Sequence, residues 1–148
     1  MAKPERVPVE EFTYSQLSDT IIQRMSHPTG YPIEFNQLRS CKLAILAPST
    51  QMTVDECVKC VIVCGPCEGS VFIRDCVDCV FFLSCGQFRM RDCQRCTVFL
   101  NVSTDPCIET SKSIIFSPLK MDYKRYSGFF SNCFFTQKIT FNHQNYKK

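Results

Sequence analysis

Three Cys-x-x-Cys pairs are the residues of this 148-residue chain best suited to chemistry: Cys57/Cys60, Cys76/Cys79 and Cys93/Cys96. Zinc ribbons use two such pairs about fifteen to twenty residues apart, because four thiolates must close a tetrahedron around the ion. The first two pairs satisfy that spacing. The third does not fit a four-ligand site, and each pair precedes a Val- or Phe-rich run where a zinc knuckle would have polar turns.

Positions one period outside the cysteines distinguish a metal site from a structural repeat. The pairs recur after 19 and then 17 residues, and the same periods lead outward to Leu38/Cys41 and Thr110/Ser113. Leucine cannot bind zinc, so the repeated position requires a small or apolar side chain, and cysteine serves there as a compact hydrophobic residue. We therefore predict that the cysteines pack in a core and that the chain uses no metal or other cofactor.

Repeats of 17–19 residues predict turns of a parallel β-helix, because helical-hairpin solenoids need longer units. In each turn a strand such as "SVFIRDC" reaches a Cys-x-x-Cys corner, "CVFFLSC" forms the next strand, and Gly-Gln or Gly-Pro turns the chain again. About five turns are expected over residues 35–118. The predicted fold class is all-β, with an N-terminal arm (1–34) and a C-terminal segment (119–148) beside the β-helix.

The two flanking segments have different patterns. Leu17, Ile21 and Met25 lie at four-residue spacing in "SQLSDTIIQRM", which predicts a short helix that "HPTGYP" ends. The C-terminal segment is expected to form a strand, either at an edge or as a pairing element in a dimer. It has six basic residues against Asp122, within a chain of net charge +3. This basic excess suits an acidic partner surface, and a merely solvated segment is an equal alternative.

Composition indicates a folded cytoplasmic protein without a membrane anchor. Apolar residues make up 45% of the chain, yet no run approaches the length of a membrane span or of a secretory signal. Ala2 stands where N-myristoylation requires glycine. Twelve cysteines without a secretory signal favour a reducing compartment. We expect no nucleic-acid partner.

The phrases "SCGQFRMRDC" and "FLNVSTDPCIETSKSIIFSP" resemble the tubulin-binding cofactor C domain, in the superfamily shared with cyclase-associated protein. The likeness covers residues 35–118 and is strongest to the branch of the retinitis-pigmentosa-linked member. It implies a right-handed parallel β-helix. It also implies tubulin or microtubules, or an Arf-like small GTPase, as the partner, and a cytoskeletal location that extends to the cilium or basal body.

In that family the phrase Cys-Gln-Gln-Phe/Leu-Arg carries GTPase activation, in which an arginine finger stabilises charge on the transferring phosphate. The resemblance places the finger at Arg89, with Gln87 as a second catalytic candidate. It also implies that Glu109 pairs with the finger and holds it extended. The residues expected to contact a partner are Arg74, Phe88, Arg91 and Glu109, with Arg91 on the same strand face as Arg89.

Gly86 departs from the family phrase, which has glutamine there to help the finger arrange the partner's catalytic groups. We therefore place first a binding or architectural module of the microtubule cytoskeleton, ciliary or centrosomal, with no intrinsic active site. The alternative is a GTPase-activating protein that acts through Arg89. A solvated basic ladder without catalysis is also open. Actin-monomer handling is less favoured, because the Gln-Phe-Arg phrase belongs to the cofactor C branch.

Overall fold

The computed structural model describes residues 12–24 and 30–119, which form strands, bridges and turns without a helix. All pairings between the strands are parallel. The prediction of an all-β fold is therefore confirmed. The strands are β1 (Thr13–Ser15), β2 (Ile21–Arg24), β3 (Ile33–Asn36), β4 (Lys42–Ile45), β5 (Met52–Asp55), β6 (Val61–Cys64), β7 (Cys67–Arg74), β8 (Val80–Arg91), β9 (Thr97–Val102), β10 (Cys107–Glu109) and β11 (Ile115–Pro118).

The strands wind into a parallel β-helix of about five turns, as the repeat predicts. Successive corner bridges join residues 21, 19, 19, 17 and 18 positions apart, from Ser18 to Lys112. We call face one the stack of β1, β3, β5, β7, the C-terminal half of β8, and β10. Face two is the stack of β2, β4, β6, the N-terminal half of β8, β9 and β11. Strand β8 thus continues from face two to face one.

The corner that leads from face one to face two has the same backbone in every described turn. In the central turn, Asp75 and Asp78 have φ of 52° and 55°, and Cys76 and Cys79 follow them with their side chains buried. Left-handed backbone costs an ordinary residue roughly 1–2 kcal/mol, and Asn and Asp tolerate it best. All the described non-glycine residues with positive φ occupy these two corner positions: Gln16/Asp19, Gln37/Ser40, Glu56/Lys59, Asp75/Asp78, Asp92/Arg95 and Thr110/Ser113.

The corner cysteines fill the interior and also donate a second hydrogen bond to backbone carbonyl groups that already accept one from a backbone amide. Their thiols donate to the carbonyl oxygen two residues earlier: Cys76 to Arg74 at 3.2 Å, Cys60 to Val58 at 3.3 Å and Cys96 to Gln94 at 3.4 Å. Cysteine therefore combines small volume with a hydrogen-bond donor, which alanine at the same position would lack. The prediction that the cysteines pack in a core is confirmed for the corner cysteines, all of which are buried. Within residues 12–24 and 30–119, no cluster of His, Cys, Asp or Glu is arranged to hold a metal ion.

The helix predicted in the N-terminal arm is wrong over residues 15–24. These residues form the end of β1, a corner and β2, and they pair in parallel with β3 and β4. Leu17 packs inward as the corner residue of this turn, whereas Ile21 starts the next strand and is 67% exposed. Leu17 and Ile21 are thus four residues apart because one lies at a corner and the other begins the next strand, and not because they share one face of a helix. Met25 and the C-terminal strand predicted beyond residue 119 lie outside the described residues, and the domain boundaries remain predictions.

The last corner column also differs by one position from the prediction. The bridge from Gln94 to Lys112 and the hydrogen bond from the Cys93 amide to the Ser111 hydroxyl, 3.1 Å, set this register. The inward side chains are therefore Ser111 and Ile114, and the predicted Thr110 and Ser113 are the residues with positive φ just before them. The error arises because this turn has 18 residues while the one before it has 17.

Two apolar clusters lie on opposite sides of face two. Because side chains alternate along a strand, Leu43 and Ile45 point into the interior of the β-helix while Ala44 points outward. Phe82 and Phe99 occupy the same outer column and stack at 4.7 Å between ring centroids. The outer cluster consists of Ala44, Leu46, Val63, Phe82 and Leu119, with Val61, Val80 and Phe99 packed against it. No helix long and apolar enough to cross a membrane occurs among the described residues.

Candidate partner-binding face

The outer side of face one carries two columns of side chains that cross successive turns. Parallel strands place column members about 4.8 Å apart. Phe72 lies directly opposite Arg89, and Arg74 lies opposite Arg91. The first column is Thr13, Glu34, Thr53, Phe72, Arg89 and Cys107, and the second is Ser15, Asn36, Asp55, Arg74, Arg91 and Glu109.

Three arginines surround the half-buried ring of Phe72. The guanidinium carbons lie 5.2 Å (Arg89), 5.3 Å (Arg74) and 5.8 Å (Arg91) from the ring centroid. Each distance falls within the roughly 6 Å at which an aromatic ring attracts a cation. We name these four residues the Phe72 platform. The structure therefore brings together the three arginines that the sequence singled out.

The three arginines differ in their carboxylate partners. Arg74 donates to Asp55 at 3.0 Å, and the Nε of Arg91 lies 3.6 Å from a carboxylate oxygen of Asp92. Arg89 is exposed and forms no salt bridge to any residue that the structure describes. Its positive charge therefore remains available to an anionic group of a partner.

Glu109 does not pair with Arg89 in this structure. The register of β10 on β8 sets Cys107 against Arg89 and Glu109 against Arg91. The Glu109 carboxylate instead accepts a weak hydrogen bond from the Cys107 thiol at 3.8 Å. The pairing implied by the resemblance is thus absent, because Glu109 lies two residues further along its strand than the position opposite the finger.

Phe88 is a core residue and cannot contact a partner directly. Its side chain is 1% exposed and meets Phe116 edge to face at 5.9 Å between centroids. This corrects the expectation that Phe88 lies in the partner-binding surface, since the alternation of β8 turns Phe88 inward whenever Arg89 points outward. Phe88 instead anchors the strand that presents Arg89.

Gln87 is exposed beside a shallow pocket at the edge between the two faces. The pocket has a volume of about 340 Å³ and is lined by Glu68, Gly69, Ser70, Gly86, Gln87 and Thr104. Gly86 lies against an irregularity in the pairing of β7 with β8, between Cys67 and Ser70. A Cβ atom at Gly86 would approach the carbonyl oxygens of Glu68 and Gly69 to 3.1 Å, so a larger residue there requires the neighbouring backbone to shift by a few tenths of an ångström.

The described thiols differ in exposure. Cys107 is exposed in the Arg89 column, whereas the other described cysteines are buried. Burial raises the pKa of Cys85 to about 12, and it also raises the pKa values of Cys67 and Cys64, the latter well above its ordinary value. These three buried thiols therefore stay protonated at neutral pH and are poor nucleophiles and poor metal ligands.

Comparison with known proteins identifies the family of this chain. A protein-family model described as "Tubulin binding cofactor C" matches residues 30–146. This chain belongs to the tubulin-binding cofactor C family. It is 26% identical to tubulin-specific chaperone C of Bos taurus over 111 residues, which are 74% of this chain and 32% of that protein.

Two further relatives come from a plant and a yeast. Tubulin-folding cofactor C of Arabidopsis thaliana is 27% identical over 106 residues, 72% of this chain and 31% of that protein. Tubulin-specific chaperone C of Schizosaccharomyces pombe is 32% identical over 85 residues, 57% of this chain and 32% of that protein. The chain thus spans about a third of the length of the curated relatives it matches.

Two features of this cofactor C chain were not found from its sequence. One is Phe72, whose signal was its position 17 residues before Arg89, the length of one turn. The other is the surroundings of Gly86, since the motif shows only that a glutamine is missing. The carbonyl groups of Glu68 and Gly69 lie close to this glycine, beside an irregularity in strand pairing that has no signature in the sequence.

Proposed function

We propose that this chain is a tubulin-binding module of the microtubule cytoskeleton and that it docks through the Phe72 platform. The observation that carries the proposal is Arg89, an exposed guanidinium without a carboxylate partner among the described residues, flanked by Arg74 and Arg91. The names of its relatives, tubulin-specific chaperone C and tubulin-folding cofactor C, support tubulin as the partner. We place the module in the cytoplasm, with the cilium or basal body as the more specific location.

The chemistry of the platform favours an acidic protein surface. A guanidinium forms two parallel hydrogen bonds with one carboxylate, which gives both orientation and strength. Arg74 and Arg91 already have acidic neighbours in Asp55 and Asp92. A carboxylate from the partner therefore gains the most binding free energy by pairing with Arg89.

Tubulin binding by the full chain tests this proposal. Fluorescence anisotropy with labelled tubulin dimers should show that Arg89→Ala raises the Kd roughly 30-fold or more, the effect of truncating one member of a charge pair in an interface. The matched control is Arg39→Ala. This variant removes an exposed arginine at a corner, four bridges before Lys112 in the series of corner bridges that starts at Ser18. Equal Kd values for wild type and Arg89→Ala would overturn the proposal.

GTPase activation is a second candidate, favoured by one observation. Arg89 occupies the finger position of the family phrase and carries no salt bridge among the described residues that would hold it back from a phosphate. The partner would be an Arf-like small GTPase or tubulin itself. An arginine finger is worth roughly 10³–10⁵ in hydrolysis rate.

Single-turnover GTP hydrolysis separates the two candidates. If the chain activates a GTPase, wild type accelerates hydrolysis and Arg89→Ala loses the acceleration, with a smaller loss for Gln87→Ala. Tubulin binding without any acceleration by wild type would reject activation and leave the binding module in place.

A further inference from the structure

We propose that Phe72 is a positioning residue for Arg89, and that the Phe72 platform recognises a carboxylate on an acidic segment of a protein partner. The inference deepens the proposed function and rests on it for the partner. Its own content is that an aromatic ring on the solvent side of face one holds the arginine in its binding orientation.

The position of Phe72 has no explanation in core packing. Its neighbours along β7, Val71 and Ile73, point into the interior and are fully buried, so Phe72 points outward. It belongs to neither apolar cluster of the described residues. Its ring contacts guanidinium groups instead, which gives an outward aromatic residue a role that valine or threonine would not fill.

The geometry orders Arg89 without using up its hydrogen-bond donors. A guanidinium over a ring face keeps its N–H groups at the edge of the plane, where they can meet a carboxylate. The backbone register sets Phe72 directly opposite Arg89, so the contact follows from the turn length of the β-helix. A long side chain fixed in this way loses less conformational entropy when a partner binds.

The balance of charge selects an anionic ligand. Three guanidinium groups within 5.2–5.8 Å of one ring repel one another. Asp55 lies within salt-bridge distance of Arg74, and Asp92 of Arg91, so both carry neutralising carboxylates. Arg89 is the one of these three arginines that forms no salt bridge to a described residue, so a carboxylate from a partner would pair with it.

Two substitutions distinguish the effect of the aromatic face of Phe72 from the effect of its side-chain size. Phe72→Leu keeps an apolar side chain of similar reach and removes the aromatic face, whereas Phe72→Tyr keeps the face and serves as the matched control. The first readout is the NMR chemical shift of the Arg89 Nε proton in the free protein. We expect a ring-current shift in wild type and Phe72→Tyr that disappears in Phe72→Leu.

The second readout is tubulin affinity. Phe72→Leu should raise the Kd roughly five- to thirtyfold, the strength of a cation–π contact from which water is excluded, and Phe72→Tyr should bind as wild type does. A double-mutant cycle with Arg89→Lys should show coupling between the two positions, because the lysine keeps the charge and loses the planar stack. This cycle separates the contact from any general effect of either substitution on folding.

The outcomes distinguish this inference from the proposed function. An Arg89 shift that is unchanged by Phe72→Leu overturns the positioning role whatever the partner is. Equal tubulin affinity for wild type and Phe72→Leu, with no coupling in the cycle, overturns recognition through the platform. A lost ring-current shift in a chain whose wild type does not bind tubulin rejects the proposed function and leaves the positioning of Arg89 supported.

Discussion

Face one and face two share the same turns and the same parallel pairing, yet their outer sides have different chemistry. Outward positions on face one carry Thr53, Phe72 and three arginines, whereas those on face two carry Ala44 and Val63, both 0% exposed, and the stacked Phe82 and Phe99. The backbone hydrogen bonds between the strands form with either set of outward side chains. The difference shows that the inward residues specify the β-helix, while the outward residues are free to specify what each face contacts.

The largest expected effect comes from placing a charge on each outer side. Val63→Asp introduces a carboxylate at a fully buried outer position of face two, and it should lower the free energy of unfolding by roughly 3–5 kcal/mol. Thr53→Asp makes the matching change on face one, at a half-buried position, and should cost less than about 1 kcal/mol. Urea denaturation followed by circular dichroism measures both, and equal losses would contradict the distinction between the faces.

The next effect concerns buried and exposed thiols. Burial raises the pKa of Cys85 to about 12, so the unfolded chain, with its ordinary thiol pKa, loses this proton first as the pH rises. The folded state then binds more protons than the unfolded state, and its stability should fall progressively from about pH 9 to about pH 12. Urea midpoints across this range measure the fall, which should be shallower in Cys85→Ala.

Thiol labelling gives an independent check at neutral pH. Iodoacetamide should modify Cys107 while Cys64, Cys67 and Cys85 stay unlabelled, since only the first is exposed. Rapid labelling of Cys85 in the folded protein would mean that its burial does not hold in solution.

The smallest effect lies in the corner that separates the two faces. Asp75 is exposed and has φ of 52°, so Asp75→Ile places a β-branched side chain in left-handed backbone and should cost roughly 1–2 kcal/mol of stability. Asp75→Gly should be within about 0.5 kcal/mol of wild type, because glycine adopts this conformation readily. Thermal unfolding of both variants measures the difference in stability. Val77→Ile is the control, because Val77 lies in the same corner and has no positive φ.

The sequence predicted the β-helix because its corners carry a regular chemical signal. The turn length separates successive corner cysteines, namely Cys57, Cys76 and Cys93. Leu38 at the same repeated position shows that the position requires a residue that packs in the interior and not a metal ligand. The signal weakens where the corner lacks cysteine. The spacing from Leu17 therefore predicts a helix, and the 17-residue period predicts a core position at Thr110, one residue too early. A one-residue change of turn length leaves no mark on composition.

The candidate site was predictable as a set of residues but not as a geometry. Arg74, Arg89 and Arg91 follow from the family phrase and from the repeat, and the structure places them around one ring. Whether Glu109 can pair with Arg89 depends on the register of β10 on β8, and that register sets Glu109 opposite Arg91. Such register is fixed by contacts between turns, and a single turn does not encode it.

The unequal turn lengths have a consequence for folding fidelity. Stacked parallel strands offer each incoming segment several similar edges, so a repeat of constant length would let the chain add itself one level too early and still form its hydrogen bonds. Here the bridges are 21, 19, 19, 17 and 18 residues apart, so only the two 19-residue turns have the same length. A segment that adopted the length of a different turn would have one or more residues too many or too few between its left-handed corner residues and those of the turn below. Irregular turn length therefore disfavours assembly in the wrong order wherever neighbouring turns differ in length.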